Sequence, residues 1–213
     1  MSLRPNRRAD AVIAWSLGSS GCNLVSGEII LMRHGKPDLG PIDKVSSRDM
    51  KQWIAQYDLA VIVDEPAPET SRALASAAGV IVSSSAPRAL ASVAALGLSP
   101  KVIDAVFCEA PLPHGSWAQP RLSPFTWAFI YRMAWLCGLS AQVESARDAG
   151  LRADRAAQQL QTLAEGEDVL LMGHGFMNRM IAKRLTRAGW VRQDSSGSRY
   201  WSASRYRKAP SSK

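Results

Sequence analysis

Residues 30–35 read ILMRHG and residues 170–175 read LLMGHG. In each, an apolar run of strand length meets a histidine followed by glycine. A run this apolar belongs in the core, and a ring that can carry charge does not, so each His-Gly pair lies just past a strand end. The segments between them set the fold. From Glu28 onward, apolar runs alternate with stretches of helical period, the pattern of an α/β domain. EIILM (28–32) reads as a strand. Residues 46–57 read as a helix with Met50, Trp53, Ile54 and Tyr57 on one face, and 69–78 as a second helix stopped by Gly79. A strand over 79–85 runs into serines, a helix over 86–96 comes next, and 101–109 (KVIDAVFCE) reads as a third strand. Prolines make 110–124 a loop. Helices over 125–137 and 144–165, a strand over 168–172, a helix over 176–189 and an edge strand over 198–207 complete the chain.

The 213 residues suffice for one domain with a sizeable core, here 28–207, between an extension (1–27) and a polar tail (208–213). Apolar content of 46% and charged content of 21% are those of an ordinary globular chain, and no apolar run is long enough to span a membrane. The formal charge of +8 points to an acidic partner. The arginines are spread along the chain with no nucleic-acid motif among them, so nucleic acid is not expected. Cys22, Cys108 and Cys137 form no C-x-x-C pair, which argues against a disulfide framework and fits a reducing, cytoplasmic setting. Residues 1–22 run basic, apolar, then Ser-Ser-Gly-Cys, like a weak export or lipid-anchor signal ending at Cys22. The apolar part is short and broken by Ser16 and Gly18, which favours an untidy extension or misassigned start.

The polar residues gather at strand ends. The first strand ends at Arg33-His34-Gly35. The second ends at Ser83-Ser84-Ser85, with Arg88 in the next helical turn. The third ends at Glu109, and the fourth at Gly173-His174-Gly175. In a mostly parallel sheet these ends open on one edge, where such folds bind ligands. Arginine forks match phosphate oxygens, and strand-to-helix junctions aim free N–H groups at an anion. Glycine after each histidine is expected to let the backbone approach the ligand. Guanidinium neighbours keep an imidazole neutral and nucleophilic, and Glu109 is the carboxyl placed to move a proton. Each residue alone has a plainer reading: Arg88 as surface charge, Glu109 as a cap, Ser84 as a helix cap. Their convergence favours a phosphate site. Arginines there oppose a bound cation, so no metal is expected, and no phosphate-binding glycine loop supports a nucleotide cofactor. His114 reads as a loop residue lining the mouth of the site.

These pieces resemble the histidine phosphatase, or phosphoglycerate mutase-like, superfamily: strand-RHG with His34, strand-SS-x-x-x-R with Arg88, the acid in FCEAPLPHG, and strand-GHG with His174. The resemblance implies a three-layer α/β/α sandwich with a mostly parallel sheet and no cofactor. It implies a small phosphorylated substrate, or phosphate or sulfate, held by Arg33, Gly35, Ser84, Arg88, His174 and Gly175. His34 would become phosphohistidine, with Glu109 as acid and base. Lys36-Pro37-Asp38 after RHG, and no counterpart of the mutase insertion, favour phosphomonoester hydrolysis by a small bacterial phosphatase. The alternatives are a mutase, a protein phosphohistidine phosphatase or a phospho-ligand binder. Trp117, Trp127 and Trp135 are expected near a lid built by helices 125–137 and 144–165.

Overall fold

The computed structural model describes residues 27–140 and 143–210; the expectations for residues 1–26 lie outside the described residues. Strands β1 (Ile29–Arg33), β2 (Val80–Ser83), β3 (Val102–Ile103), β4 (Val169–Gly173), β5 (Trp190–Ser195) and β6 (Ala203–Lys208) form one sheet in the order β3-β2-β4-β1-β6-β5. The first four run parallel; β6 is antiparallel to β1 and to β5. Six helices accompany them: α1 (Met50–Leu59), α2 (Glu69–Ala77), α3 (Pro87–Ala95), α4 (Pro124–Leu136), α5 (Ala146–Leu163) and α6 (Gly175–Arg187).

The alternation of side chains along a strand sorts the core into two halves. On one face, Ile29, Leu31, Val80, Val82, Val169 and Leu171 pack against Ala153, Ala157 and Leu160 of α5 and Met177, Ile181 and Leu185 of α6. On the other, Ile30, Met32, Ile81, Leu170 and Met172 meet Ala75 of α2 and Ala89 and Val93 of α3. All five residues of β4 are buried, and a strand covered on both faces has to be apolar throughout, which is why VLLM reads so plainly. The result is the expected α/β/α sandwich. Helix α5 begins at Ser145, whose hydroxyl accepts from Asp148 N at 3.1 Å and donates to its carboxylate at 2.7 Å. Met50 of α1 and Trp127 and Tyr131 of α4 form a smaller cluster.

Three expectations are corrected. The third strand is two residues long, because Asp104 accepts from Val106 N at 2.8 Å and turns the chain into a 3-10 turn, Ala105–Phe107. Residues 46–49 form a turn before α1, with Asp49 Oδ2 accepting from the Ser46 hydroxyl at 2.7 Å. The last strand starts at Ala203 and lies between β1 and β5, so the edge belongs to β5. After Trp190 every residue of β5 is exposed, so no alternation of apolar residues marked it as a strand. No helix among the described residues is long and apolar enough to cross a membrane.

Candidate active site

Arg33 pairs with Gly173 at the ends of the central strands β1 and β4, and His34 N donates to Gly173 O at 3.1 Å. This register brings the two histidines together, with ring centroids 5.1 Å apart at an interplanar angle of 60°. His34 is 2% exposed and His174 1%. Burial, reinforced by Arg88 and Arg33, pushes His34 down from 6.5 to about 3, against a raising effect of its bond to Gly35. Burial likewise holds His174 well below the usual imidazole range, with Arg88, His34 and Arg33 adding to it. Both rings are therefore neutral at physiological pH.

Their hydrogen bonds differ. His34 Nδ1 lies 2.7 Å from Gly35 O, a carbonyl that only accepts, so Nδ1 carries the proton and Nε2 keeps its lone pair. His174 Nε2 lies 2.7 Å from Ser84 Oγ. Ser84 Oγ also accepts from Ala86 N at 3.4 Å, and where its own hydrogen is donated to Nε2 the proton of His174 sits on Nδ1. That Nδ1 is buried and has no partner among the described residues, and the same holds for Arg33 Nε and Arg88 Nε. Three unpartnered buried nitrogens thus sit on Arg33, Arg88 and His174, around His34. Groups of this kind are costly to leave unpaired, and an anion would satisfy them.

Neighbours aim both guanidinium groups. Arg33 Nη1 donates to Ser198 O at 2.7 Å, and its Cζ lies 4.4 Å from the centre of the Tyr200 ring. Arg88, 3% exposed, donates to Tyr57 O at 3.2 Å and lies 4.8 Å over the Tyr57 ring, with Asp58 Oδ1 at 3.5 Å. Burial pushes the Tyr57 phenol up to about 12, so it stays neutral beside the cation. Glu109 reaches the start of α6: Oε2 accepts from Phe176 N at 2.9 Å, and Oε1 from Met177 N at 2.8 Å and Ala110 N at 3.1 Å. The capping reading of Glu109 is thus present in the structure. It leaves Oε2 with a single N–H partner and a lone pair to spare.

Arg33, Arg88, Glu109 and Gly175 line a cavity of about 700 Å³. His34 and His174, buried beside Arg33 and Gly173 at the strand ends, are not among the residues lining it. Ser84 and Gly35 are one step behind. Ser84 is fully buried and its hydroxyl is used by His174, while Gly35 N donates to Ser92 Oγ at 2.9 Å, which in turn donates to Arg88 O at 2.6 Å. The two glycines make room for protein: a Cβ on Gly35 would stand 2.7 Å from the Trp201 ring, and one on Gly175 would stand 3.3 Å from Arg33 Nε. His114 is not among the residues lining the cavity. Trp127 and Trp135 are core residues and Trp117 is 63% exposed. Helix α4 supplies Phe125, Ala128, Phe129 and Arg132 to the wall, and α5 supplies none. Sequence reasoning missed Ser92, Tyr57 and Tyr200. Tyr200 sits after the β5 turn, so finding it required recognising the β5–β6 hairpin, whose signal was the Ser-Ser-Gly at 195–197.

The model of the histidine phosphatase superfamily (branch 1) matches residues 29–205. No protein of curated function matches the chain. Among solved structures, a mycobacterial protein called hydrolase 1 is 20% identical at a TM-score of 0.51, over 76% of this chain and 82% of its own. The product of an open reading frame of Mycobacterium tuberculosis is 18% identical at 0.50, over 74% and 79%. A mutant phosphoserine phosphatase of Entamoeba histolytica in complex with phosphoserine is 16% identical at 0.49, over 76% and 80%. The first two likenesses show the fold.

Proposed function

The chain belongs to the histidine phosphatase superfamily and is a phosphatase, and we propose that it hydrolyses phosphate monoesters, without a metal ion, through a phosphohistidine at His34. The carrying observation is the split of the His34 ring: Nδ1 is engaged by Gly35 O, so the lone pair of Nε2 is the free one. Nε2 attacks phosphorus, the bond to the ester oxygen breaks, and the leaving oxygen takes a proton from the acid form of Glu109. Water then attacks the phosphohistidine and gives its proton to the Glu109 carboxylate, and the Nε2–P bond breaks to release phosphate. His174 Nδ1–H and the Arg33 and Arg88 guanidinium groups donate to the phosphoryl oxygens, where charge gathers in both steps. A carboxyl on the cavity wall favours hydrolysis over simple binding.

Hydrolysis of p-nitrophenyl phosphate in EDTA tests this, with the wild type compared to His34→Ala. Activity that persists in the chelator and disappears in the variant is the expected result. Loss of wild-type activity on chelation overturns the metal-free mechanism, and full activity in the variant overturns the role of His34.

A further inference from the structure

Beyond the phosphate groups, the cavity is built from aromatic rings. A continuous wall leaves Arg88: its guanidinium lies over Tyr57, Tyr57 stacks on Trp53 at 5.2 Å, and Trp53 meets Phe125 edge-on at 5.6 Å. Phe129, one turn further along α4, and Phe176, at the start of α6, also line the cavity. Phe125 is 44% exposed and Phe129 66%. Rings held in water beside a phosphate site are recovered energetically when an apolar group covers them. The polar groups nearby are mostly occupied. Arg132 donates to Ala110 O at 2.6 Å and lies 4.5 Å over Phe176, while Glu109 caps α6. The exception is Arg179, exposed on the wall.

Resting on the phosphatase reading above, we propose that the physiological substrate is the phosphate monoester of an apolar alcohol, whose hydrocarbon lies along the wall of Trp53, Tyr57, Phe125 and Phe129. The phosphoryl group sits on Arg33, Arg88 and His174, and the alcohol leaves past Glu109 across the rings. The competing substrate type carries a second anionic group, which Arg179 would hold.

The test is kcat/KM for ethyl, butyl, hexyl and octyl phosphate below their micelle concentrations. Their leaving alcohols are nearly equal in acidity, so differences report binding of the chain rather than chemistry. Phosphoserine serves as the doubly anionic comparator. The expected result is a rise of roughly twofold or more per methylene, below the full transfer value of about fourfold. Phe129→Ser flattens that rise, whereas Leu139→Ser, a 66% exposed residue that does not line the cavity, leaves it unchanged. Thermal melts of both variants check that they fold. A flat series, or phosphoserine preferred over hexyl phosphate, overturns the inference while leaving the phosphatase reading intact. Failure to hydrolyse any ester, p-nitrophenyl phosphate included, overturns that reading and this inference with it.

Discussion

The two strand-His-Gly junctions differ in fate although their sequences are nearly alike. After His34 the chain enters a loop, and the ring turns Nδ1 back onto the carbonyl of the next residue. After His174 the chain enters α6, and the ring reaches sideways to Ser84 on the neighbouring strand end. One ring therefore keeps Nε2 free of a hydrogen bond, and the other keeps a buried, unpartnered Nδ1. The partner of His174 is supplied by the fold, whereas that of His34 lies within its own tripeptide, in the conformation the loop gives it. On the proposed mechanism, nearly equal local sequence then serves as nucleophile in one place and as charge-stabilising partner in the other.

Removing each ring should have the largest effect on this contrast. His34→Ala should lower kcat about 10⁴-fold or more, as loss of a nucleophile does. His174→Ala should lower it roughly 10²- to 10³-fold, as loss of one charge-stabilising donor does. Acid-stable trapping is the wrong assay for a phosphoramidate, so rapid quench into base followed by mass spectrometry should find the adduct in His174→Ala and not in His34→Ala. An adduct at another residue would reverse the assignment.

Ser84→Ala comes next. It removes the side-chain partner of His174 Nε2 and frees the proton to move to that nitrogen, turning a donor toward the phosphate into a lone pair. A fall in kcat of roughly tenfold to a hundredfold, with restoration by Ser84→Thr, is expected. Unchanged kcat would mean that the tautomer of His174 is held some other way.

The shared feature of the two rings gives a pH prediction. Both imidazoles have folded-state values below those of the unfolded chain, so unfolding takes up protons in acid. Stability is then full above pH 6.5 and declines as pH falls from 6.5 toward about 3, the window set by His34, with His174 adding in the same direction. Urea midpoints measured across that range should fall with acidity, and less steeply in His34→Asn. A slope identical in the variant would show that His34 is not neutralised by burial. The same shift predicts that kcat/KM lacks an acid limb near pH 6.5 once ionisation of the substrate is divided out.

The smallest effect separates the two glycines. Gly35→Ala drives a methyl into the Trp201 ring and should cost about 1–3 kcal/mol by overpacking. Gly175→Ala meets only the side chain of Arg33 at 3.3 Å and lies in the first turn of a helix, so its cost in stability should be lower and its effect on activity, through Arg33, larger. Thermal melts and kcat for the pair decide it.

Legibility in the sequence tracked burial. VLLM of β4 and IILM of β1 are covered on both faces and had to be apolar, and the residues beyond them stood out for that reason. WVRQDS of β5 is a solvated edge held by backbone pairing to β6, so its side chains carried no mark of a strand. Arg33, His34, Arg88, Glu109 and His174 could be singled out as candidates because chemistry of that kind is rare at strand ends. Ser92, Tyr57 and Tyr200 could not, because their contribution is to hold an arginine or a loop, and a serine or tyrosine does that in any fold.

The order of residues was enough to establish an α/β chain with a cationic, histidine-bearing sheet edge, because apolar periodicity and the polarity at the end of each apolar run are local properties. The packed fold alone settles what His174 Nε2 meets, why position 35 is a glycine, and that the walls beyond the phosphate site are aromatic. Those depend on contacts between residues far apart in the chain: Gly35 with Ser92 and Trp201, His174 with Ser84, and Trp53 with Phe125. Contacts at that separation are set by the packing of whole elements, which no short stretch of sequence contains.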